Sequence, residues 1–169
     1  IIEDLVPTGL DVSKSLIDSN EIPTYPFIAN FLTILKEKFH DQTIKDIQPL
    51  VPQIIAQLNS EQLGTLKQRI YCAGAISQLL SDGIAKDQIG NVIQFVLNNL
   101  NSEDEKCLFN LCSVVLPILE EIGEEKANVI FDSFSSDVKK TENEEYLSAW
   151  MTVLGKFIKH YNIKEDSVN

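Results

Sequence analysis

Leu58-Asn59-Ser60-Glu61 returns 42 residues later as Leu100-Asn101-Ser102-Glu103. The same shift carries Ile54 onto Val96, Ile55 onto Leu97, Leu66 onto Leu108, Ile76 onto Ile118 and Leu80 onto Ile122. A shift of 39 then carries Leu108 onto Leu147, Cys112 onto Met151, Val115 onto Leu154, Ile118 onto Phe157 and Leu119 onto Ile158. Polar junctions and core positions recur together at a period of about 40 residues, which is the length of a two-helix repeat. One helical hairpin buries only one face of each helix. Stacked hairpins share a continuous core, so the repeat also supplies the reason for stability.

Outward from the junctions, the apolar spacing is helical almost everywhere. Leu108, Leu111, Cys112, Val115, Leu119 and Ile122 fall on one stripe of a helix, as do Ile89, Val92, Ile93, Val96, Leu97 and Leu100. Leu63, Leu66, Ile70, Ala73, Ile76 and Leu80 form a third stripe. No sustained period-two alternation occurs, and Asp82-Gly83 follows a helical stripe, where Gly suits a position just past the helix end. The reading is an all-α chain with helices over 10–18, 25–39, 43–58, 61–81, 86–100, 103–122, 125–139 and 143–161. Ser102 reads as an N-cap, with Glu105 completing a capping box, and Gly123 closes that helix. Pro52 and Pro117 are expected to bend their helices, because each lacks an N–H and clashes one turn back.

Short connections make neighbours antiparallel. The expected architecture is therefore a single domain over 1–169, a right-handed stack of about four helical hairpins at 10–39, 43–81, 86–122 and 125–161. The first hairpin departs from the pattern, with a short leading helix and the proline-broken linker Glu21-Ile22-Pro23-Thr24-Tyr25-Pro26. Tyr25, Pro26, Phe27 and Phe31 are placed to cap that end of the stack. Because the chain starts at Ile1, it is expected to be part of something longer.

Composition narrows the function classes. The 169 residues carry 25 Asp+Glu against 14 Lys+Arg, a net charge of -11, and 44% are hydrophobic. That apolar content supports a core and argues against disorder. The acidic excess disfavours nucleic acid, RNA included, and anionic membranes. Three cysteines, Cys72, Cys107 and Cys112, do not make a disulfide framework and point to a reducing compartment, cytoplasmic or nuclear. There is no apolar run long enough to span a bilayer and no basic-then-apolar leader.

Few residues carry chemistry. His40 and His160 each fall near an expected helix C-terminus, where a cationic imidazole is favourable. Neither belongs to a metal-ligand cluster, and Cys107 and Cys112 do not suit one zinc ion. Arg69 reads as an intramolecular partner. No phosphate loop, nucleophile elbow or paired-carboxylate motif is present, so neither an enzyme nor a cofactor is expected.

The acidic groups at 103–105, 120–125 and 142–145 fall largely on first turns, as helix dipoles favour, and basic residues crowd last turns. Helix ends line the edges of a stacked array. The surplus acid is therefore expected to form a rim that receives a basic or amphipathic protein segment. Asp104, Glu120, Glu121, Glu144 and Glu145 are the candidate contacts. Met151, Leu154, Phe157, Ile158 and Tyr161 read as the core stripe of the last helix, with Trp150 beside it as a partly exposed contact.

The two-helix repeat with Leu-Asn-Ser-Glu junctions resembles HEAT- and armadillo-type α-solenoids over roughly 43–161. The run Arg69-Ile70-Tyr71-Cys72-Ala73-Gly74-Ala75-Ile76-Ser77-Gln78-Leu79-Leu80, then Ile89 to Leu100, then Cys107-Leu108-Phe109-Asn110-Leu111-Cys112, is similar to the middle domain of the large translation-initiation scaffold. Nonsense-mediated-decay and cap-binding scaffolds share that domain. This resemblance implies a non-catalytic protein-binding platform in mRNA metabolism or translation. The alternative is a segment of a nuclear transport receptor, a class of acidic solenoids that bind basic cargo. A tubulin-binding HEAT domain is disfavoured because tubulin is itself acidic.

Overall fold

A computed structural model of the protein describes residues 2–163. Among them there are nine α-helices and no strand, so the chain is all-α. The helices are α1 Ile2–Asp18, α2 Tyr25–Lys38, α3 His40–Ile47, α4 Val51–Ile55, α5 Leu66–Ser81, α6 Ile89–Asn99, α7 Glu105–Val115, α8 Glu124–Val138 and α9 Glu144–Tyr161. The first is longer than expected, because Pro7 is accommodated inside it.

Prolines set most of the differences from the expected boundaries. The helix expected over 43–58 is two helices, with Pro49 in the break and Pro52 in the first turn of α4, where its missing N–H costs nothing. His40 begins α3, directly after the break at Phe39, instead of ending a helix. The helix expected over 103–122 stops at Val115 and continues as a 3-10 segment, Leu116–Glu121, that starts around Pro117. Its cap also differs. Asp104, not Ser102, accepts from the backbone N–H groups of Lys106 and Cys107 at 2.9 and 3.2 Å, while the Ser102 hydroxyl accepts from the Asp104 N–H at 3.2 Å. A carboxylate is the stronger acceptor there and also meets the positive end of the helix. The capping box lies instead at the start of α5, between Thr65 and Gln68.

The end of α5 follows the sequence closely. Gly83 has φ +89°, its N–H bonds Leu80 O at 2.9 Å, and the Ile84 N–H bonds Leu79 O at 3.1 Å. This pair of bonds satisfies two terminal carbonyls, and the positive φ they require is why Gly stands there.

Helix α5 packs against α2 on one side and α7 on the other, and α7 packs in turn against α9. Small residues let α5 sit between two neighbours: Cys72, Ala73 and Ser77 are fully buried, as is Ala29 of α2. The Thr33 hydroxyl of α2 donates to Ala75 O at 3.1 Å, and Lys36 pairs with Asp82 at the end of α5. Around α9 the filling changes from small residues to rings. Trp150 meets Phe134 edge-on at 4.7 Å and Phe109 at 6.4 Å, and Phe157 lies 6.3 Å from Phe131 and 6.4 Å from Phe134.

Candidate functional site

Two contacts orient α7 and its 3-10 extension against α9. Near their starts, Phe109 and Tyr146 stack with centroids 4.5 Å apart and planes 19° apart. Near their ends, the Tyr161 hydroxyl donates to Leu119 O. The two segments therefore run the same way, and their N-terminal ends share one edge of the molecule.

That edge collects acid from two places about forty residues apart in sequence. Glu103, Asp104 and Glu105 come from the start of α7, and Glu142, Glu144 and Glu145 from the start of α9, all exposed. Asp104 is also a structural residue. The Cys107 N–H, the Cys107 thiol and the Lys106 N–H hold its carboxyl below the ordinary carboxylate value. Asn143 caps α9 in the same manner, accepting from Glu145 and Tyr146 at 3.0 and 3.2 Å. Helical rotation separates Glu144 from Glu145. At about 100° per residue, Glu144 sits about 200° from Tyr146 and so faces away from α7. Beside the α7 start, a groove of about 640 Å³ is lined by Leu100, Ser102, Glu103, Glu105, Asp137 and Lys140. Burial raises the Asp137 carboxyl above its ordinary value. Lys140, 3.6 Å away, acts against this, and the Glu105 charge adds to it.

Glu120 and Glu121 are not part of this edge. They lie at the far end of the α7 extension, in a groove of about 490 Å³ shared with Ser81, Lys156, Lys159 and His160. Lys86 pairs with Glu121 at 2.5 Å. The five candidate carboxylates thus divide, with Asp104, Glu144 and Glu145 on a strongly acidic edge and Glu120 and Glu121 on one of mixed charge.

The sequence-based placement of Trp150 is corrected. Its side chain is fully buried, on the face shared with Val153, Leu154 and Phe157. Met151 and Ile158, expected in the core, are 57% and 41% exposed. The buried arc of α9 is rotated by about 50° from the expected one, half the step of a residue, because α7 and α8 meet the helix from the Trp150 side.

The chain matches no family model, no curated protein and no solved structure. The reading of its surface therefore rests on its own chemistry. Among the described residues, no group of three or more His, Cys, Asp or Glu is placed to hold a metal ion, and no helix is long and apolar enough to cross a membrane. Burial pushes the thiols of Cys72 and Cys112 up to about 12 and raises that of Cys107 as well, so none is a ready nucleophile at neutral pH. Arg69 donates to Asn59 O at 3.3 Å, an intramolecular role, and His160 lies in the last turn of α9, edge-on to Tyr161.

One surface escaped the sequence reading. Asn30 and Thr33 of α2, Tyr71, Gly74 and Gln78 of α5, and Ser113 of α7 line a shallow groove of about 250 Å³. Exposed Phe27 and Ile34 lie on the same helix as Asn30. The seven-residue spacing of Phe27 and Ile34, with Asn30 between them, is the signal that marks this face of α2. Of the residues expected to cap that end, Tyr25 and Pro26 are buried and Phe27 is exposed.

Proposed function

We propose that the chain is a non-catalytic protein-binding scaffold of stacked helical hairpins, and that a basic or amphipathic protein segment docks along the edge formed by the starts of α7 and α9. The observation that carries this reading is the Phe109–Tyr146 stack, which sets the acidic starts of two helices side by side. The serial packing of α2, α5, α7 and α9, with one or more helices between each pair in sequence, supports the hairpin stack. Concentrated negative potential at one edge attracts a cationic segment and repels nucleic acid. The resemblance of 66–122 to translation-initiation and decay scaffolds is what supports reading such an adaptor as part of an mRNA-metabolism assembly.

The test uses a fluorescent amphipathic Lys-Leu peptide as the probe. Binding weakens by about tenfold or more between about 50 and about 500 mM salt. Glu105→Lys combined with Glu145→Lys abolishes it, and Glu120→Lys combined with Glu121→Lys leaves it nearly unchanged. Equal affinity at both salt concentrations overturns the acidic-edge reading. Tight binding of single-stranded RNA overturns the expectation that the acidic surplus disfavours nucleic acid.

A further inference from the structure

Ser102 and Thr141 occupy the same place before two helices. Each stands two residues ahead of an N-cap, Asp104 of α7 or Asn143 of α9, in a segment outside any helix. Each side-chain oxygen accepts from the backbone N–H of that cap, at 3.2 and 3.3 Å. Among the described residues, neither O–H is committed to a backbone carbonyl, as those of Thr33, Ser81 and Thr152 are. Both side chains are half-buried, but the four residues that follow each of them are all exposed.

Acid follows both hydroxyls at the same spacing. Glu103, Asp104 and Glu105 come first, second and third after Ser102, and Glu142 and Glu144 come first and third after Thr141. The internal repeat supplies a contrast. Ser60 lies in the same Leu-Asn-Ser-Glu tetrapeptide as Ser102, and its oxygen also accepts a backbone N–H, from Gln62 at 3.3 Å. After Glu61, however, come Gln62 and the buried Leu63, so one acid follows instead of three. An enzyme that selects hydroxyls by the negative charge downstream of them takes Ser102 and Thr141 and passes Ser60. Protein kinases discriminate between substrates by such charge patterns.

The fold also has room and a counter-charge for the product. Ser102 lines the groove of about 640 Å³, which Lys140 also lines. A phosphate there is a stronger acceptor for the Lys140 ammonium than Asp137 is, and it stands near the positive start of α7. We propose that Ser102 and Thr141 are phosphoryl-acceptor sites for an acid-directed Ser/Thr protein kinase. In the transfer, the side-chain oxygen attacks the terminal phosphorus of a nucleoside triphosphate. The new O–P bond forms as the bond from that phosphorus to the bridging oxygen breaks. The hydroxyl proton passes to a base of the kinase, and the nucleoside diphosphate leaves. Each phosphate adds about 1.5 to 2 negative charges to the edge shared by the starts of α7 and α9. The consequence for docking rests on the reading of that edge as a binding site: modification strengthens its hold on a cationic segment.

Incubation of the 169-residue chain with a purified acid-directed Ser/Thr kinase and Mg-ATP tests the proposal, with a base-directed kinase alongside. The expected result is a gain of phosphoryl groups by intact mass, placed by fragmentation at Ser102 and Thr141. Ser60 stays unmodified, and the base-directed kinase modifies neither site. Glu103→Gln combined with Glu105→Gln changes two exposed side chains. It slows transfer to Ser102 by about tenfold or more and leaves Thr141 at its original rate, with helical circular dichroism unchanged. At about 50 mM salt the phosphorylated chain binds the Lys-Leu peptide about fivefold more tightly than the unmodified chain. Absence of phosphate from either hydroxyl overturns the proposal. So do modification of Ser60 at the rate of Ser102 and an unchanged Ser102 rate in the Gln variant. Equal peptide affinity of the two forms overturns the consequence for docking. A peptide that binds neither form overturns the docking edge instead, while the acceptor sites stand on the mass measurement.

Discussion

Helices α7 and α9 carry matched apolar patterns and meet different fates. Leu108, Cys112, Val115, Ile118 and Leu119 are all buried along α7 and its extension, while of their counterparts only Leu154 and Phe157 are buried. Spacing defines an apolar arc on a helix, but the neighbours choose which part of it to cover. Helix α7 has elements on both sides, whereas α9 has α7 and α8 on one side only. Aromatic residues compensate on the covered side, where Trp150 and Phe157 fill the space against Phe131 and Phe134.

The sharpest way to break this comparison is at two adjacent residues of α9. Trp150→Ala empties a fully buried ring site and is expected to cost about 3–5 kcal/mol in urea unfolding. Met151→Ala, one position later and largely exposed, is expected to stay within about 0.5 kcal/mol. Equal costs would mean that α9 is rotated from the orientation described. A pair matched by the 39-residue shift has a smaller effect. Leu108→Ala is expected to cost about 2 kcal/mol or more and Leu147→Ala less than about 1 kcal/mol, and a reversal of that order would show α9 to be the covered helix.

The smallest effects are electrostatic, at the acidic edge, and they have opposite signs. The Asp104 carboxyl titrates below its ordinary value, so its contribution to stability is present above that value and lost as pH falls through the depressed one. Asp104→Asn therefore lowers Tm at pH 7, with a gap that closes in acid. The Asp137 carboxyl titrates above its ordinary value. Its neutral form is favoured in the fold, and stability is lost as pH rises from the ordinary value through the raised one. Asp137→Asn therefore raises Tm slightly at pH 7, again with a gap that closes in acid. Tm measured across pH for both variants checks the two signs.

The candidate site was legible in part. Acidic first turns follow from the sequence because helix starts do, and Glu105, Glu124, Glu125, Glu144 and Glu145 all lie in first turns. Which of those turns adjoin was not legible. Glu120 and Glu121 looked like members of the same rim, yet the 3-10 segment carries them to the opposite end of α7, beside Lys86, Lys156 and Lys159. The cap at α7 was misplaced because Ser102 and Asp104 are both good caps, and only the backbone geometry distinguishes them.

Local rules decided much of this molecule. The all-α class, the Gly83 helix end, the helix break at Pro49 and the shortened helix before Pro117 follow from spacing and from residues with restricted or permissive backbones. Ile76 and Ile118, and Leu80 and Ile122, matched by the 42-residue shift, are all buried. Tertiary structure alone decided the rotation of α9, the burial of Trp150 and the division of the acidic residues between two edges. The physical reason is angular. Apolar residues at 147, 150, 151, 153, 154, 157 and 158 cover an arc too wide for one neighbour to bury, and a rotation of about 50°, half a residue's step, changes which of them meet water.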